Sequence, residues 1–123
     1  YARCYGQDSS NPFPDQMQLT LTKLQDLRYG ENPHQSAALY ASNHQPADFE
    51  LLHGKELSFN NLLDMQAGWD LVTEFADVAA CAIIKHNNPC GAAISAGNDV
   101  AEAYKLALDC DPLSAFGGIV AVN

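Results

Sequence analysis

Val78-Ala79-Ala80-Cys81-Ala82-Ile83-Ile84-Lys85-His86-Asn87-Asn88-Pro89-Cys90-Gly91 is an apolar run that gives way abruptly to a cation, a titratable base and a polar turn. Its seven leading apolar residues lack period-2 alternation, which predicts a strand buried on both faces of an α/β sheet. In open α/β sheets ligands bind beyond the carboxyl ends of the strands, where Lys85 and His86 emerge. A fixed cation beside an imidazole disfavours its protonated form, so the pairing points to His86 as a proton acceptor and to Lys85 as a holder of developing negative charge. The plain alternative is a solvated strand end followed by a hydrogen-bonded loop histidine. The Asn-Asn-Pro-Cys-Gly continuation favours a functional loop, because it demands a specific backbone turn directly after the base.

Upstream of this strand, Leu62, Met65, Trp69, Val72 and Ala76 recur at helical spacing. Asn60 or Asn61 is the expected cap, Asp64 falls in the first turn where the helix dipole favours it, and Trp69 is expected as a core anchor. Before the helix, Met17, Leu19 and Leu21 alternate with polar residues and predict a half-buried strand running toward Leu24. The segment holding Gly30, Asn32 and Pro33 is a loop, and residues 37–40 are expected to return as a short strand. Residues 43–48 are polar, and residues 49–52 give a weaker strand expectation. Downstream, Asp99-Val100-Ala101-Glu102 resembles a capping box for a helix reaching about Leu108, and Pro112 stops it. Gly117-Gly118 leads into a last buried strand over residues 119–122. Residues 1–15, with two prolines and a glycine, read as a linker or the tail of a preceding unit, leaving 16–123 as a single α/β region. A core that stops at its last strand is the pattern of a partial domain.

Composition bounds the function. Six Lys and Arg against fifteen Asp and Glu give a net charge of -9, which excludes the cationic stripe that nucleic-acid binding needs. No apolar stretch approaches a membrane span, and no cleavable signal is visible. The four cysteines show no secreted-scaffold density and are expected reduced; no metal-ligand spacing occurs, so metal catalysis is set aside.

Other residues offer chemistry. Arg28-Tyr29-Gly30 places a planar guanidinium suited to bidentate phosphate contact beside an aromatic, against the alternative of an Arg lying along a sheet edge. His34, after Asn-Pro, reads more simply as a turn residue. Gly117-Gly118 either lets backbone approach a ligand or marks a bulge at a strand start, and spacing favours the bulge. Cys90 as a nucleophile assisted by His86 lacks a third group to orient the histidine.

Three motifs, Leu27-Arg28-Tyr29-Gly30-Glu31-Asn32-Pro33-His34-Gln35, Ile84-Lys85-His86-Asn87-Asn88-Pro89-Cys90-Gly91 and Asp111-Pro112-Leu113-Ser114-Ala115-Phe116-Gly117-Gly118, occur in this order. Together they resemble the bifunctional AICAR transformylase and IMP cyclohydrolase family of purine biosynthesis, in the opening part of its transformylase region. The resemblance runs from Phe13 to Asn123. It implies a cytidine-deaminase-like three-layer α/β/α fold, present twice in the family, of which this chain holds most of the first copy. It implies phosphoribosylaminoimidazolecarboxamide formyltransferase chemistry: a formyl group passes from the co-substrate 10-formyltetrahydrofolate to the 5-amino group of AICAR. By motif, His86 matches the proton acceptor and Lys85 the transition-state stabiliser, while Arg28, Tyr29 and Gly117 match nucleotide-binding positions. The implied partners are AICAR, the folate and a second subunit of a homodimer, in the cytoplasm, with no transition metal, nucleic acid or membrane. Cyclohydrolase activity is not assigned to these residues.

The fold resemblance raises a zinc deaminase as a rival, which uses H-x-E with P-C-x-x-C. Ala93 stands where the second cysteine is needed, and no histidine is followed two residues on by Glu. A rival of another class is a non-catalytic nucleotide-binding or dimerisation module.

Overall fold

The computed structural model describes residues 19–42 and 47–123, and these fall into two compact units. The linker expected over residues 1–15, Met17 and most of the polar stretch at 43–48 lie outside the described residues.

The first unit centres on a two-stranded sheet of β1 (Leu21–Leu27) and β2 (Ala37–Ser42). Both strands were expected, but the facing of β1 differs: Leu19 and Leu21 are exposed, while Thr22 and Leu24 are half-buried. A two-stranded ribbon has little core of its own, so alternation alone leaves the choice of face open. Lys23 and Asp26 pair at 2.5 Å on this ribbon. Both are exposed, which keeps such a pair's contribution small. Residues 49–52 form no strand.

The second unit comprises Leu27–Ala37 and Lys55–Asn123. It holds helix α1 (Phe59–Thr73), strands β3 (Ala80–Lys85) and β4 (Asn88–Ile94), helix α2 (Val100–Cys110) and strand β5 (Ile119–Val122). The sheet order is β4-β3-β5, and both outer strands run antiparallel to β3. Every residue from Ala80 to Ile84 is buried. Cys81 and Ile83 pack with Ala103 and Ala107 of α2, while Ala82 and Ile84 pack with Val72 of α1. The two helices therefore cover opposite faces of the sheet, a mixed α/β arrangement in layers. Burial on both faces, common in parallel sheets, is reached here with antiparallel neighbours because each face has its own helix. Each buried Ile of β3 contributes roughly 1.5–3 kcal/mol.

Strand β4 runs through the stretch expected as a loop, where Pro89 and Gly91 argue against a strand. It is an edge strand, where Pro is tolerated. The register passes from Ile83↔Gly91 to Ile84↔Pro89, so Cys90 is the extra residue of a bulge. Gly91 lies directly beneath α2: a Cβ there would stand 2.0 Å from the Ala107 carbonyl oxygen.

Both helices start by side-chain capping. Ser58 caps α1, receiving the Asn61 N–H at 3.2 Å, while the Ser58 N–H donates to Asn61 Oδ1 at 3.0 Å. The expected cap at Asn60 or Asn61 thus moves to Ser58, and Asn61 completes a capping box. Trp69 is 59% exposed rather than a core anchor, and Ala76 lies beyond the helix. Gly68 and Val72 supply the buried contact, because close approach to Ala121 and Ile84 requires a residue without a side chain. Asp99 caps α2 as expected, accepting the Ala101 N–H at 2.8 Å. Glu102 instead accepts from the buried Ser95 hydroxyl. Strand β5 is half-buried rather than enclosed, its residues alternating along the edge.

Candidate functional site

The carboxyl end of β3 runs into a hairpin turn of two residues, His86 and Asn87, with Lys85 paired to Asn88. Both turn residues have positive φ, 52° and 63°. That pair of values suits the right-handed twist of a two-residue hairpin, and His and Asn are among the side chains that tolerate it. The imidazole is presented to solvent at the tip. Two side chains fix the backbone beneath it: Asp64 Oδ1 of α1 accepts the Asn87 N–H at 2.6 Å, and the Asn88 amide donates to the His86 carbonyl at 2.9 Å.

Lys85 Nζ donates to the Phe116 carbonyl at 2.6 Å, which draws the loop before β5 to the same end of the sheet. Gly117 follows in the left-handed region at φ +72° with open space where a Cβ would lie. Gly118 is tightly placed instead, since a Cβ there would stand 2.9 Å from the Ile84 carbonyl oxygen. Of the two glycines, one shapes the turn and the other permits the packing.

The Arg28 loop wraps the amino end of α1. The Arg28 N–H donates to the Leu57 carbonyl, the Phe59 N–H to the Tyr29 carbonyl, and the Asn60 amide to the Glu31 carbonyl. The Arg28 guanidinium lies 4.9 Å from the centre of the Tyr29 ring and reaches the Tyr29 hydroxyl at 3.3 Å and Asn61 Oδ1 at 3.4 Å. The Ser58 hydroxyl, and then Arg28, draw the Tyr29 phenol below its ordinary pKa. His34 sits in the exposed turn of this loop, as expected of a turn residue. An open cleft of about 480 Å³ adjoins the loop, lined by Gly30, Glu31, Gln35, Ser36, Ala37 and Phe59. A second, of about 440 Å³, lies around Ala79, Asn98 and Asn123 at the opposite end of β3 and contains none of the expected site residues.

Asn61 and Asp64 join these parts. They stand one turn apart on α1, on the stripe that continues through Gly68 and Val72, whose apolar half packs on the sheet. Polar residues on a packing stripe are the sequence signal for this role, beyond the capping and dipole roles expected of Asn61 and Asp64. Asp64 is not in the first turn; its carboxylate holds the turn after β3. Lys85, His86 and Gly117 are thus brought to one sheet end by direct contacts, and Arg28 with Tyr29 is tied to the same end through α1.

Cys90 donates to the Ile83 carbonyl at 3.4 Å and packs against the core cluster of β3 and α2. That contact occupies its thiol within the bulge. Cys81, Cys90 and Cys110 are free thiols, and burial pushes the Cys81 thiol upward in pKa.

Residues 2–123 match the model of the AICARFT/IMPCHase bienzyme family. The chain belongs to this family. It is similar to the bifunctional purine biosynthesis protein PurH from the Hall and Kyoto strains of Clostridium botulinum, with 54% identity over 114 residues in each case. The match covers 90% of this chain and 22% of each relative, so the chain spans about a fifth of the length of those family members. The three motifs around Arg28, His86 and Gly117 all lie inside the family match. Among the described residues no helix is long and apolar enough to cross a membrane.

Proposed function

We propose that these residues form part of a formyl-transfer site in purine biosynthesis, acting on AICAR with 10-formyltetrahydrofolate as the formyl donor. The observation that carries this reading is the convergence of Lys85, His86 and the Phe116-Gly117 loop at one end of β3, with Arg28 linked to it through α1. The 5-amino group of AICAR is delocalised into its ring and is a poor nucleophile, so a base must take its proton as the nitrogen attacks the formyl carbon. His86 takes that role at the exposed turn. Lys85 keeps one donor on the Phe116 carbonyl and has two more for the oxygen that becomes negative in the tetrahedral intermediate. Collapse breaks the bond from the formyl carbon to the folate nitrogen, which recovers a proton. Arg28, Tyr29 and Gly117 hold the nucleotide, Arg28 by charge and Gly117 by open backbone.

The same reading takes the layered α/β unit as part of a cytidine-deaminase-like fold, completed and dimerised by sequence beyond this segment, in a cytoplasmic protein. His86→Ala in a polypeptide of the relatives' full length carrying these residues is expected to abolish formyl transfer while AICAR still binds by calorimetry. Unchanged turnover would remove His86 from its role. For the 123 residues taken alone, a second reading is a nucleotide-binding module without turnover, favoured by coverage of only 22% of the relatives. Measurable formyl transfer by the isolated chain would exclude it.

A further inference from the structure

We infer that Asp64 is a positioning residue for His86, holding the base in its left-handed turn through the backbone of Asn87. This rests on the formyl-transfer reading and adds a residue to it. The turn needs holding, because His86 and Asn87 are consecutive non-glycine residues at positive φ, a conformation that side chains with a Cβ adopt only with some backbone strain. The strand that follows is irregular as well, since β4 carries one extra residue at the Cys90 bulge and leaves the ladder uneven close to the turn. What holds the turn is specific. The Asp64 carboxylate accepts the Asn87 N–H at 2.6 Å, a charge-assisted contact, while the Asn88 side chain closes on the His86 carbonyl from the other side. Among the described residues Asp64 has no ion-pair partner, so its carboxylate is not committed to a neighbouring cation. Its place on α1 supplies a distance as well. Asn61, one turn earlier, receives the Arg28 guanidinium, so the helix sets the spacing between the expected phosphate-binding cation and the expected base. Asp64 acts through this geometry and does not contact the reacting atoms.

The test uses a polypeptide of the relatives' full length carrying these residues, with AICAR and 10-formyltetrahydrofolate as substrates. Asp64→Ala is expected to lower kcat by about 10- to 100-fold, the scale of loss from misplacing a catalytic group, with the KM for AICAR changed by less than about threefold. Hydrogen exchange at the Asn87 amide should accelerate. Adding Asn87→Gly, which adopts positive φ without strain, should restore much of the lost kcat, and Asp64→Asn, which keeps an acceptor oxygen, should lose less than Asp64→Ala. Should Asp64→Ala fail to fold, Asp64→Ser is too short to reach the turn and gives the same comparison. Wild-type kcat in the Asp64 variants, with His86→Ala inactive, would overturn the positioning role and leave the formyl-transfer reading intact. Failure of Asn87→Gly to recover activity would also overturn it. An active His86→Ala would instead overturn the underlying reading.

Discussion

Gly91 shows how a single missing side chain sets the geometry of a layer. A Cβ at this position would overlap the Ala107 carbonyl, so Gly91→Ala must push α2 away from β4. The expected loss is about 1–3 kcal/mol or more, read as a lowered thermal midpoint. Gly117→Ala meets open space and suffers only the strain of its positive φ, roughly 1–2 kcal/mol, so the two variants separate packing from conformation. Asp111 supplies a pH-dependent counterpart. The Ser114 side chain and backbone donate to its carboxylate and draw its pKa below the usual value. A depressed carboxylate contributes stability above its unfolded pKa and loses it as pH falls through the folded value. Ser114→Ala should therefore lower the midpoint at neutral pH, and the difference from the parent should vanish below that acid range. A difference that persists in strong acid would assign the effect to packing instead.

Helix α1 is the part on which fold and site depend together. Ser58 is buried and caps the helix, and its neighbour Asn61 serves both the capping box and Arg28. Ser58→Ala is expected to cost about 0.5–2 kcal/mol by chemical denaturation, and to raise the Tyr29 pKa because its main acidifying partner is gone. The titration is read as the difference from Tyr29→Phe. The existence of α1 was legible from the spacing of Leu62, Met65 and Val72. Its cap and its buried face were not, because Ser58, Asn60 and Asn61 are all good cap residues and Trp69 fits the apolar period as well as Gly68 fits the packing. Strand β4 escaped for a related reason: Pro89 and Gly91 are poor strand residues whose presence is justified by an edge, a bulge and an overlying helix.

The α/β unit leaves exposed apolar surface on β5, where Val120 and Val122 are 48% and 42% exposed, and among the described residues β5 pairs only with β3. An open edge with apolar side chains promotes association. The 123-residue chain expressed alone is therefore expected to sediment above monomer mass, and Val120→Lys to return it toward monomer. A monomeric parent would mean that the edge is protected in solution. What could be read along the chain is whatever local chemistry dictates: the apolar run that makes β3 a strand buried on both faces, the turn after it, the Asp99 cap, and the three motifs that identify the family. Contacts between distant segments fixed the rest. The antiparallel order β4-β3-β5, the facing of Thr22 and Leu24, and the convergence of Arg28, Asp64, Lys85 and Phe116 depend on which surfaces meet. A residue's own type does not specify its distant partner, and Asp64 became part of the site because folding placed the Asn87 amide beside it.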